Sequence, residues 1–247
     1  MKLLVLLIAF VSFTQSLFAS IPILQDVIHN YVKFSGGFYQ WNKIKSVSSS
    51  GYVTYLYENQ NKIAYFETVR KSPNYYYSMT RFEDQSLKIY EGYNGKEFWT
   101  KAIDTNSLEE SLLQIEEHRE KEVYENISLM PFLYYLYKEN CMKNIINNKE
   151  NKTFEINAES KHFSDRQYNF ILSEDTYELI SKEILNNGNR IYIEYYEYVW
   201  VDNCKFPSKI KKYWANDEIT ETIITNIRIN RGIINTLFNL GHSFGKF

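Results

Sequence analysis

Apolar and polar positions alternate along most of this chain, and the alternation lapses at the start and in the middle. From Gly51 onward, aromatic and β-branched residues recur at every second position in short runs bounded by Asn, Gly, Asp and Ser. That is the pattern of half-buried strands. It predicts strands over residues 52–58, 63–70, 75–82, 87–93 and 96–102, and again over 153–158, 168–172, 179–185, 190–200, 205–214 and 219–229. Asn94-Gly95 and Asn187-Gly188 carry the residues that tight hairpins require. Strands joined by such short turns form an antiparallel meander. The tail after Arg231 is less regular and is predicted as a surface segment.

Elsewhere the period lengthens. Leu24, Val27, Ile28, Tyr31 and Val32 recur at helical spacing, so residues 21–35 are predicted as an amphipathic helix that stops at Gly36-Gly37. Trp41, Ile44 and Val47 lead from it into the first strand. Residues 107–143 carry many Glu and Leu and few strand signals. Ser107 with Glu110 fits a capping box. Val123, Ile127, Met130, Leu133 or Tyr134, and Tyr137 form an apolar stripe that Pro131 should split. The expected fold is therefore mainly β with helices (α+β). One long, curved antiparallel sheet makes an open half-barrel, and the inserted helices bury their stripe against its concave face.

The first residues form a different pattern. Lys2 is followed by an apolar run from Leu3 to Val11, and Ala19 precedes Ser20. This reads as a secretory signal peptide over 1–19, with cleavage after Ala19. The run is too short for the roughly 20 residues that a membrane-spanning helix needs. Residues 20–247 are expected to form a single domain outside the cytoplasm.

Composition narrows the functional classes. The chain holds 22 Tyr and 16 Phe against 9 Gly and 4 Pro, which favours sheet. The formal charge of −2 does not suggest nucleic acid as a partner. The four His are scattered, and no nucleophile elbow, P-loop or HExxH motif occurs. No catalytic residue, metal site or cofactor is expected. Cys141 and Cys204 are a candidate disulfide in an oxidising compartment. What remains is apolar binding, in the mouth of an open barrel.

Several short motifs, in order, carry a family resemblance. A helix ends at Gly36-Gly37 and is followed by Trp41-Asn42-Lys43-Ile44-Lys45-Ser46. Arg70-Lys71-Ser72-Pro73-Asn74-Tyr75 supplies a basic residue, a proline and an aromatic. Tyr93-Asn94-Gly95-Lys96-Glu97-Phe98-Trp99 matches a recurrent hairpin, and Val201-Asp202-Asn203-Cys204-Lys205-Phe206-Pro207 matches a later turn. Over nearly the whole mature chain this resembles the outer-membrane lipoprotein-sorting family, the group of the periplasmic lipoprotein carrier.

The resemblance implies a periplasmic, non-enzymatic, monomeric protein that holds lipoprotein acyl chains or other lipids in an apolar cavity under a helical lid. It also implies envelope membrane proteins as partners. Val53, Leu56, Phe66, Tyr76, Ile89 and Trp99 are the candidates for the sheet side of the cavity. Met130, Leu133 and Tyr137 are those for the lid. An early-strand arginine touches the lid in the family, and Arg70 and Arg81 both fit that place. The same fold also serves envelope sensor domains with a filled barrel, which is the alternative reading.

Overall fold

A computed structural model describes residues 20–56, 61–83, 85–113, 123, 125, 127–163, 165–214 and 218–239. The proposed leader, apart from its junction at Ser20, lies outside the described residues. Helix α1 (Ser20–Phe34) and the short α2 (Phe38–Lys43) precede the sheet. Thirteen antiparallel strands follow, interrupted by helix α3 (Phe132–Lys138). The strands are β1 (Ser46–Leu56), β2 (Lys62–Lys71), β3 (Tyr75–Phe82), β4 (Leu87–Tyr93), β5 (Phe98–Asp104) and β6 (Glu110–Leu113). After α3 come β7 (Met142–Asn148), β8 (Thr153–Glu159), β9 (Arg166–Ser173), β10 (Leu179–Asn186), β11 (Asn189–Val201), β12 (Cys204–Tyr213) and β13 (Ile219–Ile229). No helix among the described residues is long and apolar enough to cross a membrane.

All thirteen strands belong to one unclosed sheet, ordered β6-β5-β4-β3-β2-β1-β13-β12-β11-β10-β9-β8-β7. The first and last strands pair at its centre, with Val47 opposite Ile229 and Leu56 opposite Ile219. From that seam the sheet extends as two wings. Twisted sheets of more than about 10 strands tend to curl. β6 and β7 are the two outermost strands, and residues 114–141 join them. The connection must therefore run from one edge of the sheet to the other, which is why a lid is built from this stretch.

Alternation sorts side chains onto two faces. Phe154, Ile156 and Ala158 on β8 and Tyr168, Phe170 and Leu172 on β9 face inward and are buried. They pack against Val27, Ile28, Tyr31 and Val32 of α1, Trp41 of α2, and Leu133, Tyr134 and Leu136 of α3. The Trp41 and Phe206 rings lie 5.1 Å apart. Helix α1 ends where predicted. Gly36 and Gly37 adopt φ of 124° and 81°, and the Gly37 N–H donates to Val32 O at 2.8 Å. A side chain at Gly36 would collide with the Asn203 carbonyl of the β11–β12 turn.

Two sequence expectations are corrected. Ser107 and Glu110 do not start a helix. Leu108 takes φ 61°, the Ser107 hydroxyl accepts from the Glu109 N–H at 3.3 Å, and Glu110 opens β6. The predicted stripe breaks at Pro131, which caps α3, but the stretch ends at Lys138 and residues 142–148 form an edge strand. The tail after Arg231 lies on the surface as expected, its described residues 231–239 mostly exposed, and it is anchored there. It covers the outer face of β2–β5, where Phe238 is fully buried against Tyr77, Tyr90 and Trp99. The Trp99 indole N–H donates to Phe238 O at 2.8 Å, and Lys71 Nζ donates to Ile233 O.

Candidate functional site

Between the inner face and the lid lies a cavity of about 370 Å³, within the usual size range of small-ligand pockets. Its sheet wall is built from inward positions on five or more strands: Ser49, Phe66, Thr68, Tyr195, Ile210, Thr222 and Ile224. Register explains the set. Ser49 pairs with Thr68, Ile210 with Thr222, and Tyr195 with Ile210, so each pair presents neighbouring side chains to one face. The lid contributes Ser128, Leu129, Met130, Pro131, Phe132 and Leu133, while Tyr31, Phe34 and Trp41 close one side. Beyond residues 128–130 lies a second cavity of about 380 Å³, lined also by Ile44, Pro73 and Tyr93.

The sequence candidates divide by face. Phe66, Tyr76, Met130 and Leu133 line the first of these cavities. Tyr76 also packs on Val123 and Ile127, which hold helical conformation in the lid. Arg70 lines the cavity, and its Nη1 donates to Ser128 O of the lid at 3.1 Å. Burial lowers the Arg70 pKa from its ordinary value, with partial compensation from nearby Tyr76.

The remaining candidates do not reach the cavity. Arg81 pairs with Tyr65 on the outer face, its guanidinium 5.3 Å from that ring. Trp99 also points outward, onto Gly92, where any Cβ would strike the indole, and beneath the tail. Leu56 has the parity opposite to Val53 and cannot share its face. Val53 and Ile89 face inward but stand along their strands from the cavity wall, beside Ala64 and Thr80. Tyr137 packs on Tyr134 at 6.4 Å within the core. Cys141 and Cys204 are both free and buried. Burial, with Asp202 nearby, pushes the Cys204 thiol up to about 11.

Sequence reasoning missed the polar side of the cavity. Glu125, in the helical part of the lid, is 7 % exposed. Its carboxylate pairs with Arg166 of β9, accepts from Tyr168 Oη at 2.9 Å and from Lys182 Nζ of β10 at 3.2 Å. Arg166 is 1 % exposed and Lys182 9 %. Glu125 and Lys182 line the cavity, as do a second pair, Lys205 and Glu178. Lys182 Nζ also stands 5.1 Å from the Phe132 ring. Burial, reinforced by the Glu125 carboxylate, drives the Tyr168 phenol far upward. Burial raises Tyr31, Tyr195 and Tyr198 as well, so these phenols stay neutral, and the Tyr198 hydroxyl donates to Leu179 O at 2.6 Å. The signal in the sequence is parity. Arg166 shares a face with Tyr168, Phe170 and Leu172, and Lys182 with Ile184. A charge at an apolar position of a strand pattern marks a buried partner.

Comparison with known proteins bears on the fold. No protein-family model and no curated protein sequence matches the chain. Solved structures do. A DUF1329-family protein from Desulfovibrio piger superposes with a TM-score of 0.61 at 9 % identity, over 87 % of this chain and 97 % of that one. An outer-membrane lipoprotein-sorting protein domain from Vibrio parahaemolyticus gives 0.56 at 10 % identity, over 90 % and 96 %. A LolA-superfamily protein from Nitrosomonas europaea gives 0.55 at 9 % identity, over 87 % and 96 %. With its thirteen-stranded unclosed sheet and its inserted lid, this chain has the open-barrel fold of the LolA-like, lipoprotein-sorting structures that its sequence resembles.

Proposed function

We propose that this protein is a periplasmic binder or carrier of acyl chains, taken from lipoproteins or other lipids and held under the lid. The observation that carries the reading is the cavity of about 370 Å³ between Phe66, Ile210 and Ile224 on the sheet and Leu129, Met130 and Phe132 on the lid. Each buried methylene contributes about 0.8 kcal/mol, so an acyl chain laid along these walls gains affinity with its length. Among the described residues, the polar contacts of the lid with the sheet include Arg70 to Ser128, and Glu125 to Arg166, Tyr168 and Lys182. Opening the lid exchanges these bonds, and a receptor that competes for the lipid would complete release.

Helix α3 is the fixed part. Leu133 is 1 % exposed and belongs to the main core, as do Tyr134 and Leu136. The lid residues that exchange contacts in this reading are therefore Glu125 and Ser128, which hold the bonds to the sheet. Uptake of a fluorescent fatty-acyl probe tests the proposal, with Thr222→Phe placing a ring in the cavity. The reading requires the native protein to bind the probe and the variant to bind at least about tenfold more weakly. Equal binding by both, or none by the native protein, would reject it.

A further inference from the structure

The acyl cavity ends against a buried cluster of charge whose members come from opposite sides of the lid contact. Glu125 belongs to the lid, while Arg166, Tyr168 and Lys182 belong to β9 and β10. Glu125 meets Arg166 through Nη1. Arg166 Nε, although buried, has no hydrogen-bond partner among the described residues. An arginine presents its donors as a planar fork suited to two oxygens of one carboxylate or phosphate. The fork edge that includes Nε is thus left for a second anion. Lys182 and Glu125 line the cavity beside Phe132 and Phe170, so this polar patch is continuous with the apolar walls.

We propose that Arg166 and Lys182, with the Tyr168 hydroxyl, form a binding site for the anionic head of the acyl ligand. In the closed arrangement Glu125 occupies that site. An inference of this kind rests on the acyl-binding reading and names the end of the ligand that the apolar walls cannot recognise. The chemistry is a carboxylate or a phosphate attached to an alkyl chain. When the lid lifts, Glu125 leaves, and the buried Arg166 needs another anion, because a buried charge is costly unless paired. The ligand head supplies it. Loading and lid release are then one exchange of anions. Lys205 and Glu178 both sit on the sheet side, so their pair does not change in this exchange.

The test uses the mature protein freed of lipid and three probes of equal chain length: palmitate, hexadecyl phosphate and methyl palmitate. Affinities are measured by displacement of a fluorescent acyl probe. The proposal predicts that at least one anionic probe binds about tenfold or more tightly than the ester, the ratio expected for one charge-assisted contact. Preference for palmitate points to a free fatty acid, and preference for hexadecyl phosphate to a phospholipid head. Lys182→Met should bring the anion-to-ester ratio close to one, and Lys182→Arg should restore it. Glu125→Gln should raise the ratio, because the resident competitor has lost its charge. The ratio in the unmodified protein decides the matter even where a variant fails to fold. Tight binding of all three probes with a ratio near one overturns the anion site and leaves the acyl reading standing. Binding of none overturns both.

Discussion

Arg70 offers the sharpest handle on the lid. It reaches from the inner face of β2 to the Ser128 carbonyl, and so joins an early strand to residues 128–130. Arg70→Met keeps much of the apolar stem and removes the donor. A hydrogen bond from a charged group contributes roughly 1.5–3 kcal/mol. Loss of about 2 kcal/mol shifts a local opening equilibrium by roughly 30-fold. The effect should be confined to the lid, because the fold is held by the sheet ladder and by the core under α1 and α3. Hydrogen–deuterium exchange should therefore show the amides of Ser128, Leu129 and Met130 exchanging roughly 30-fold faster, with β8 and β9 unchanged. Arg81→Met, on the other face, should leave lid exchange at the native rate. The reasoning fails if lid amides in Arg70→Met exchange as in the native protein, or if the whole sheet accelerates equally.

Three further outcomes follow from the geometry. Leu133→Ala should destabilise the protein by about 2–5 kcal/mol in urea unfolding, since the residue is core as well as cavity wall; a change below about 1 kcal/mol would detach α3 from the core. Trp99→Phe should lower stability by about 1 kcal/mol through the lost bond to Phe238 O, with acyl-probe affinity unaltered; weaker probe binding would place Trp99 in the cavity after all. Cys204 is buried and its thiol is pushed up to about 11, so alkylation at pH 8 should be slow until the protein is unfolded. Rapid labelling of the native protein would contradict that burial.

The strands were legible because their period is local. β3, β4 and β13 have the bounds that alternation predicts, and Asn187 and Gly188 take φ of 48° and 84° in the tight turn their identities require. What alternation cannot supply is which parity faces inward. Trp99 and Leu56 share the alternating pattern of Val53 and Phe66 but lie on the opposite face. The loop at Asn94 shows another limit. Its side-chain Oδ1 accepts from the N–H groups of Lys96 and Glu97, which lengthens the turn and delays β5 to Phe98. Strand β7 escaped notice because its pattern is polar and Asn-rich, as suits an exposed edge. The cluster of Glu125, Arg166 and Lys182 joins residues 41 and 57 positions apart. Glu125 reads locally as one of many helix glutamates. Only the pairing of β9 with β10 beneath the lid gives it partners.

Whether a lipid fills the space under the lid is read by native mass spectrometry of the mature protein purified from its own envelope, followed by lipid extraction. An acyl carrier should emerge with a lipid or acylated peptide bound at near-equal stoichiometry, and removal of that lipid should leave an empty protein able to take up an acyl probe. A protein that is empty as isolated and refuses the probe would contradict acyl carriage.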